Sequence, residues 1–188
     1  MLLRERGITM PVVVLNADAD SFDQMIANRL EPEIYSFRSL ADFADAVSHA
    51  GETRYPVHIK LDTGMHRLGF MEGEIGRLCE VLPTLPAVKV ASVFSHLNCA
   101  DMPEEDAYTR EQIARYDRMS AAVAASLPYS VIRHTANSAA IERFPEARFD
   151  MCRLGLGLYG FGWEHNAGLR PVSALKTRIV QILSLIHI

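Results

Sequence analysis

Strand-like runs at residues 11–15, 33–36, 57–61, 88–94, 129–134 and 149–153 alternate with stretches of helical period, and no two-residue hairpin turn separates one run from the next. Consecutive strands without hairpins pair in parallel through crossover helices. The pattern therefore predicts an α/β fold with six parallel strands. Pro11-Val-Val-Val-Leu15 is continuous and β-branched, as in a strand covered on both faces. Between the runs, Ser21 precedes a helix with Phe22, Met25, Ile26 and Leu30 on one side. A second helix begins at Ser39, carries Leu40, Phe43, Ala44 and Val47, and ends before Gly51. Ile75, Leu78, Cys79 and Leu82 mark a third, stopped by Pro83 and Pro86. A long helix over 105–127 opens on acidic residues, as the helix dipole favours, and a short one covers 137–143.

Polar residues collect after the strands, at 60–67, at Ser95 and His96, at 134–138 and at 153–157. Chemistry aimed at the C-terminal edge of parallel strands is the (β/α)8-barrel arrangement, although a doubly wound open sheet gives a similar string. The barrel is favoured, and six strands are two short of the eight that close one. The sharpest change of composition is Lys60-Leu-Asp-Thr-Gly-Met-His-Arg-Leu-Gly-Phe70, which places Lys60, Asp62 and Arg67 inside eight residues of a strand end.

With 188 residues, 49% of them hydrophobic, the chain can bury one real core. Its net charge of -4, without runs of like charge, argues against a nucleic-acid track or a polybasic membrane surface and is compatible with a small anionic or zwitterionic ligand. No stretch nears the roughly 18 uninterrupted apolar residues of a membrane span. The first ten residues, with Arg4, Glu5 and Arg6, do not read as a secretion signal. Cys79, Cys99 and Cys152 are odd in number and widely spaced, so neither a disulfide framework nor a metal site is expected, and a reducing cytoplasm is. Because a strand stands almost at the start, further sequence is expected upstream.

Four motifs occur in a telling order: Lys60-x-Asp-Thr-Gly-Met-x-Arg-x-Gly69, Ser95-His-Leu97 with Ala100-Asp101, His134-Thr-Ala-Asn-Ser-Ala139, and Phe149-Asp-Met-x-Arg-x-Gly-x-x-Leu-Tyr-Gly160. In them the chain resembles the alanine racemases, pyridoxal-phosphate enzymes of bacterial wall synthesis, from Gly7 to about Ile182. The resemblance implies a partial TIM-type (β/α)8 barrel, about strands 3 to 8, over residues 1–168, and the start of a C-terminal β-domain over 169–182. Residues 183–188 depart from the family's pattern and read either as an artefactual tail or as an apolar strand of that domain. In the family, one base is the cofactor-binding lysine after the first barrel strand, and the other is a tyrosine of the C-terminal domain supplied across a dimer interface. Both catalytic bases are expected to lie outside this chain.

The resemblance also assigns roles within it. Arg153 would face the pyridine nitrogen of pyridoxal 5'-phosphate. Arginine keeps its proton, so it donates a hydrogen bond without protonating the ring, limits the ring as an electron sink, and favours reprotonation over transamination or decarboxylation. The plainer reading pairs Arg153 with Asp150. Gly155 and Leu156 would offer N–H groups to the cofactor phosphate, helped by Ser138 and the helix start at Asn137. Alone, Asn137-Ser138 is an ordinary helix cap. His134 would brace Arg153, and His96 would lie beside the ring and position the partner's tyrosine; either could instead be a satisfied barrel histidine. Arg67 would contact the phenolic oxygen and the substrate carboxylate. Lys60, carbamylated in many members, would support Arg67, or, unmodified, bridge to Asp62.

Racemisation of alanine for peptidoglycan synthesis, by a cytoplasmic homodimer, is the leading expectation, with the chain inactive by itself. A broad-specificity amino-acid racemase is the nearest alternative. A pyridoxal-phosphate barrel decarboxylase is a second, against which the motif at Lys60 and Arg153 both count. A barrel that binds the cofactor without catalysis is a third, against which the stretch 169–177 counts. No metal, nucleic acid or membrane partner is expected.

Overall fold

The computed structural model describes residues 1–163 and 168–181, so the tail expected at 183–188 lies outside the described residues. Five parallel strands form one sheet: β1 (Val13–Val14), β2 (Glu31–Ile34), β3 (Tyr55–Lys60), β4 (Val88–Phe94) and β5 (Ile132–His134). Their spatial order is β1-β2-β3-β4-β5, so every strand lies beside its sequence neighbour. A doubly wound sheet reverses direction at a switch point; this one does not, and it is a stretch of (β/α)8-barrel wall.

Helix α1 (Leu2–Glu5) precedes β1; α2 (Phe22–Ala27), α3 (Phe37–His49), α4 (Ile75–Val81) and α5 (Asp106–Ala125) lie in the successive connections, and α6 (Ser138–Arg143) follows β5. The core joins Leu40, Phe43 and Val47 of α3, Leu78 of α4, and Tyr116 and Val123 of α5 to Val57 and Ile59 of β3 and Val93 of β4. The other set of strand side chains is polar and also buried: Glu33, His58, Lys60, Ser92 and His134 are each less than a tenth exposed. Among the described residues no helix is long and apolar enough to cross a membrane.

Several local expectations shift. The helix expected from Ser39 starts at Phe37. Ser36 is its cap and accepts from Ser39 N at 3.1 Å, while Ser39 Oγ accepts from Ser36 N at 3.1 Å, a reciprocal box that puts Ser36 at the cap and Ser39 in the first turn. Ser21 holds the cap position of α2, but its hydroxyl donates to Asp18 O at 2.6 Å. The second strand lies at Glu31–Ile34, two residues earlier than read, because Tyr35 and Ser36 serve the helix start.

The sixth expected strand, 149–153, is not one. It runs beside β5, with Asp150 N donating to Arg133 O at 3.0 Å and Arg153 N to Ala136 O at 2.9 Å, a three-residue step instead of the two-residue repeat of a parallel ladder. Phe149 is left-handed at φ 42°, and the Asp150 carboxylate takes Arg133 N at 2.8 Å where a ladder would use a carbonyl.

β4 carries an irregularity that matters below. Val57 pairs with Val90, but His58 pairs with Ser92, so Ala91 is an extra residue bulged out of register. By alternation Ser92 belongs on the helix side with Val88 and Val90. The bulge turns it inward beside His58 and gives the helix side to Val93.

Candidate functional site

The loop after β3 closes on itself. Asp62 N donates to Phe70 O and Phe70 N to Lys60 O, both at 2.9 Å. Asp62 Oδ1 accepts from Gly64 N at 2.9 Å and His66 N at 3.1 Å, a side-chain turn that sets the next four residues. Ser95 Oγ donates to Leu61 O at 2.8 Å and lies 2.8 Å from Thr63 Oγ1, tying the loop to the end of β4. Arg67 leaves this frame exposed, and its side chain has no hydrogen bond or ion pair to another described residue.

Lys60 does not bridge to Asp62, whose carboxylate is taken by loop amides. Its Nζ lies 3.7 Å from Glu33 Oε1 and 4.7 Å from the centroid of the Phe94 ring. Glu33 is 4% exposed and takes Asn16 N at 2.7 Å through its other oxygen. Burial pushes the Lys60 amine down to about 8, with Glu33 opposing the shift and Arg153 and Arg67 adding to it.

Arg153 is held by four acceptors. Its Nη1 donates to His134 Nδ1 at 2.7 Å and His134 O at 3.2 Å, and its Nη2 to Ser95 O at 2.5 Å and Thr135 O at 3.3 Å. It therefore does not pair with Asp150, which is engaged by Arg133 N. Nε is left as the guanidinium nitrogen without a partner among the described residues. Phe94 lies under this group: its ring centroid is 5.3 Å from the Arg153 guanidinium and it stacks on His134 at 5.1 Å and 7°.

Asn137 caps α6, accepting from Ala140 N at 3.0 Å, and donates to Leu97 O at 3.0 Å. Ser138 Oγ accepts from Gly155 N at 2.9 Å and Gly157 N at 3.2 Å, so one hydroxyl gathers two backbone donors of the glycine-rich segment. His96, Asn137, Ser138, Arg153, Gly155 and Leu156 line one cleft of about 440 Å³. Of the residues singled out from the sequence, these six and His134, bonded to Arg153, are brought together. Lys60 stands behind Phe94, and Arg67 is apart. Sequence reasoning missed Glu33, Phe94, His58 and Ser92. The signal for Glu33 was a carboxylate in a short strand; the other three read as strand filling. Among the described residues no group of three or more His, Cys, Asp or Glu could hold a metal ion.

Burial, then the charge of Arg153, pushes His134 down to about 3 and His96 down to about 4. Both imidazoles stay neutral in the fold where the unfolded chain would bind protons, so stability is lost as pH falls from about 6.5 toward 4. Replacing His96 by Asn should flatten that dependence by about one proton's slope. Denaturant unfolding across this range checks it, and identical slopes in the two proteins would refute the assignment.

The family described as "Alanine racemase, N-terminal domain" matches residues 1–162. The alanine racemase of Desulfovibrio desulfuricans is 36% identical over 187 residues, covering 96% of this chain and 49% of the relative. That of Syntrophobacter fumaroxidans is 34% identical over 185 residues, covering 96% and 48%. The solved alanine racemase of Clostridium difficile 630 in complex with cycloserine superposes with a TM-score of 0.82 at 30% identity, covering 90% of this chain and 48% of that one. The chain spans about half the length of these relatives.

Proposed function

We propose, because the chain belongs to the alanine racemase N-terminal domain family, that it forms the cofactor-binding part of a pyridoxal-phosphate enzyme that interconverts L- and D-alanine. The observation that carries this reading is Arg153: a guanidinium fixed by four acceptors in a cleft, with one N–H unspent. The residues present fit the cofactor. A permanent cation suits the pyridine nitrogen, and Ser138 with the N–H groups of Gly155 and Leu156 suits a phosphate, whose oxygens would take the N–H now bonded to the Ser138 hydroxyl. When bound, pyridoxal phosphate supplies a sink for the electron pair left by the substrate's α-proton.

The chain's own residues then bind and orient. Arg153 donates to the ring nitrogen and cannot give up its proton, which favours reprotonation over side reactions. His134 braces that guanidinium, and neutral His96 lines the cleft without adding charge. Arg67, unpaired among the described residues, is free to turn to the phenolic oxygen and the substrate carboxylate. Lys60, behind Phe94, would support Arg67 only as an anion; as a cation it disfavours the guanidinium. We read Lys60 as an ammonium and not the carbamate that the resemblance implies, because Glu33 already supplies the buried anion and a second beside it would be repelled.

Residues 1–168 are proposed as the barrel portion and 169–182 as the start of the C-terminal β-domain. Neither proton-transferring base of the family is in this sequence, so residues 1–188 alone should turn over no alanine. The whole protein is proposed as a cytoplasmic homodimer serving peptidoglycan synthesis. The arginine at 153 counts against a decarboxylase, where a carboxylate suits the ring nitrogen. The test is full-length protein with pyridoxal phosphate: D-alanine should form from L-alanine, and Ser138→Ala should raise the cofactor concentration for half-saturation about tenfold, the loss of one hydrogen bond to a charged group. Absence of both cofactor absorbance and racemisation would refute the reading.

A further inference from the structure

The polar face of the strands holds a continuous file of hydrogen bonds that begins at Arg153 and does not stop at His134. His134 Nε2 lies 3.0 Å from Ser92 Oγ, Ser92 Oγ lies 2.6 Å from His58 Nδ1, and His58 Nε2 lies 2.7 Å from Glu31 Oε2. The file crosses β5, β4, β3 and β2 in turn, and its three middle members are 4%, 1% and 8% exposed. We propose that Glu31, His58 and Ser92 are positioning residues for Arg153, joined to it in a one-way relay, Arg153 to His134 to Ser92 to His58 to Glu31, that holds both imidazoles neutral with their protons on Nε2.

The direction follows from the two ends. A guanidinium only donates, so His134 Nδ1 must accept from Nη1 and carry no proton. A neutral His134 then has its proton on Nε2 and donates it to Ser92 Oγ. Having accepted from one side, the Ser92 hydroxyl places its own proton toward His58 Nδ1, its other close partner. His58 in turn carries its proton on Nε2 and donates to Glu31, which as a carboxylate only accepts. Any reversal leaves a buried donor facing a donor. Were His58 doubly protonated, Ser92 would meet N–H groups on both sides and its own buried proton would have no acceptor. The low affinity of His134 for a proton, from burial and the adjoining arginine, agrees with its place in the file.

The bulge at Ala91 makes the relay possible, since without it an alanine would stand opposite His58. The relay ends on Glu31, whose side chain is 15% exposed, so it ties the half-buried guanidinium to the edge of the polar face. It thereby limits rotation of Arg153 about its two Nη anchors and fixes where Nε is presented. That consequence for catalysis rests on the reading of Arg153 given above; the relay itself does not.

Full-length protein carrying 15N-histidine, observed by long-range 1H–15N correlation at mildly alkaline pH, tests it, with His58 and His134 assigned by loss of signal in His58→Gln and His134→Gln. Both rings should show a protonated Nε2 and an unprotonated Nδ1. Ser92→Ala should move the His134 signals and lower kcat/KM about tenfold, Ser92→Thr should restore both, and Glu31→Gln should move the signals of His58 and, more weakly, His134. Protonation of either ring on Nδ1 overturns the proposal, as would His134 signals indifferent to both Ser92→Ala and Glu31→Gln. If Ser92→Ala does not fold, the tautomers of the unaltered protein and the Glu31→Gln response decide. Because tautomers are read without turnover, a protein that proves not to be a racemase can still pass or fail this test.

Discussion

Arg153→Glu in the full-length protein is expected to suppress racemisation at least a hundredfold and to raise the share of transamination or decarboxylation products. At the ring nitrogen of the proposed cofactor, a carboxylate would keep the nitrogen protonated and strengthen the electron sink that an arginine limits. The structural effect is as large. Four acceptors, His134 Nδ1, His134 O, Ser95 O and Thr135 O, would face an acceptor where they now face a donor. Leaving acceptors of this half-buried site unsatisfied costs about 1–3 kcal/mol. The two effects separate with Arg153→Lys, which keeps the charge and loses the planar fork. It should fold with a smaller penalty and retain product specificity while losing rate. Chromatography of products and urea unfolding give the two readouts. Unchanged racemisation in a folded Arg153→Glu protein would rule out the ring-nitrogen argument.

The second large effect is at Gly69. Its φ is +134°, where a side chain is strained, and a Cβ built there would sit 2.5 Å from Asp62 N and 2.6 Å from the Leu61 carbonyl carbon. Both are backbone atoms inside the closure that joins Asp62 N to Phe70 O, so neither can move without opening the loop. Gly69→Ala should therefore cost about 3 kcal/mol or more, combining backbone strain with overpacking. Gly76, within α4, is the control. A Cβ there meets nothing within 4 Å, and Gly76→Ala should stabilise the protein by about 0.5–1 kcal/mol. Urea midpoints measure both; a loss below about 1 kcal/mol at Gly69 would contradict the closure argument.

The same loop shows what kind of information the motif at Lys60 holds. Its glycines, its aspartate and its spacing specify a backbone closure that can be reasoned out from turn chemistry. Its lysine could not be placed that way. Asp62 was the nearest acid along the chain, but the loop amides claim it, and the partner that remains is Glu33, on a strand 27 residues earlier. The glycine-rich segment behaves similarly. By resemblance Gly155 and Ser138 were legible as two groups serving one phosphate, whereas their bond to each other and the extended path of 149–153, with Asp150 serving Arg133 and not Arg153, depend on how that segment meets β5 and α6.

Alternation of apolar runs with helical periods was enough by itself to determine parallel strands, crossover helices and a polar strand edge, because each element's buried face is written in its own residues. The order of four motifs was enough for the family. Tertiary structure alone decided which polar side chains meet. The register between strands, and one bulge at Ala91, bring Ser92 in line with His58 and His134 and carry that line to Arg153. Register is a relation between distant segments, and a one-residue offset reverses the face of everything beyond it, so no local pattern can encode it.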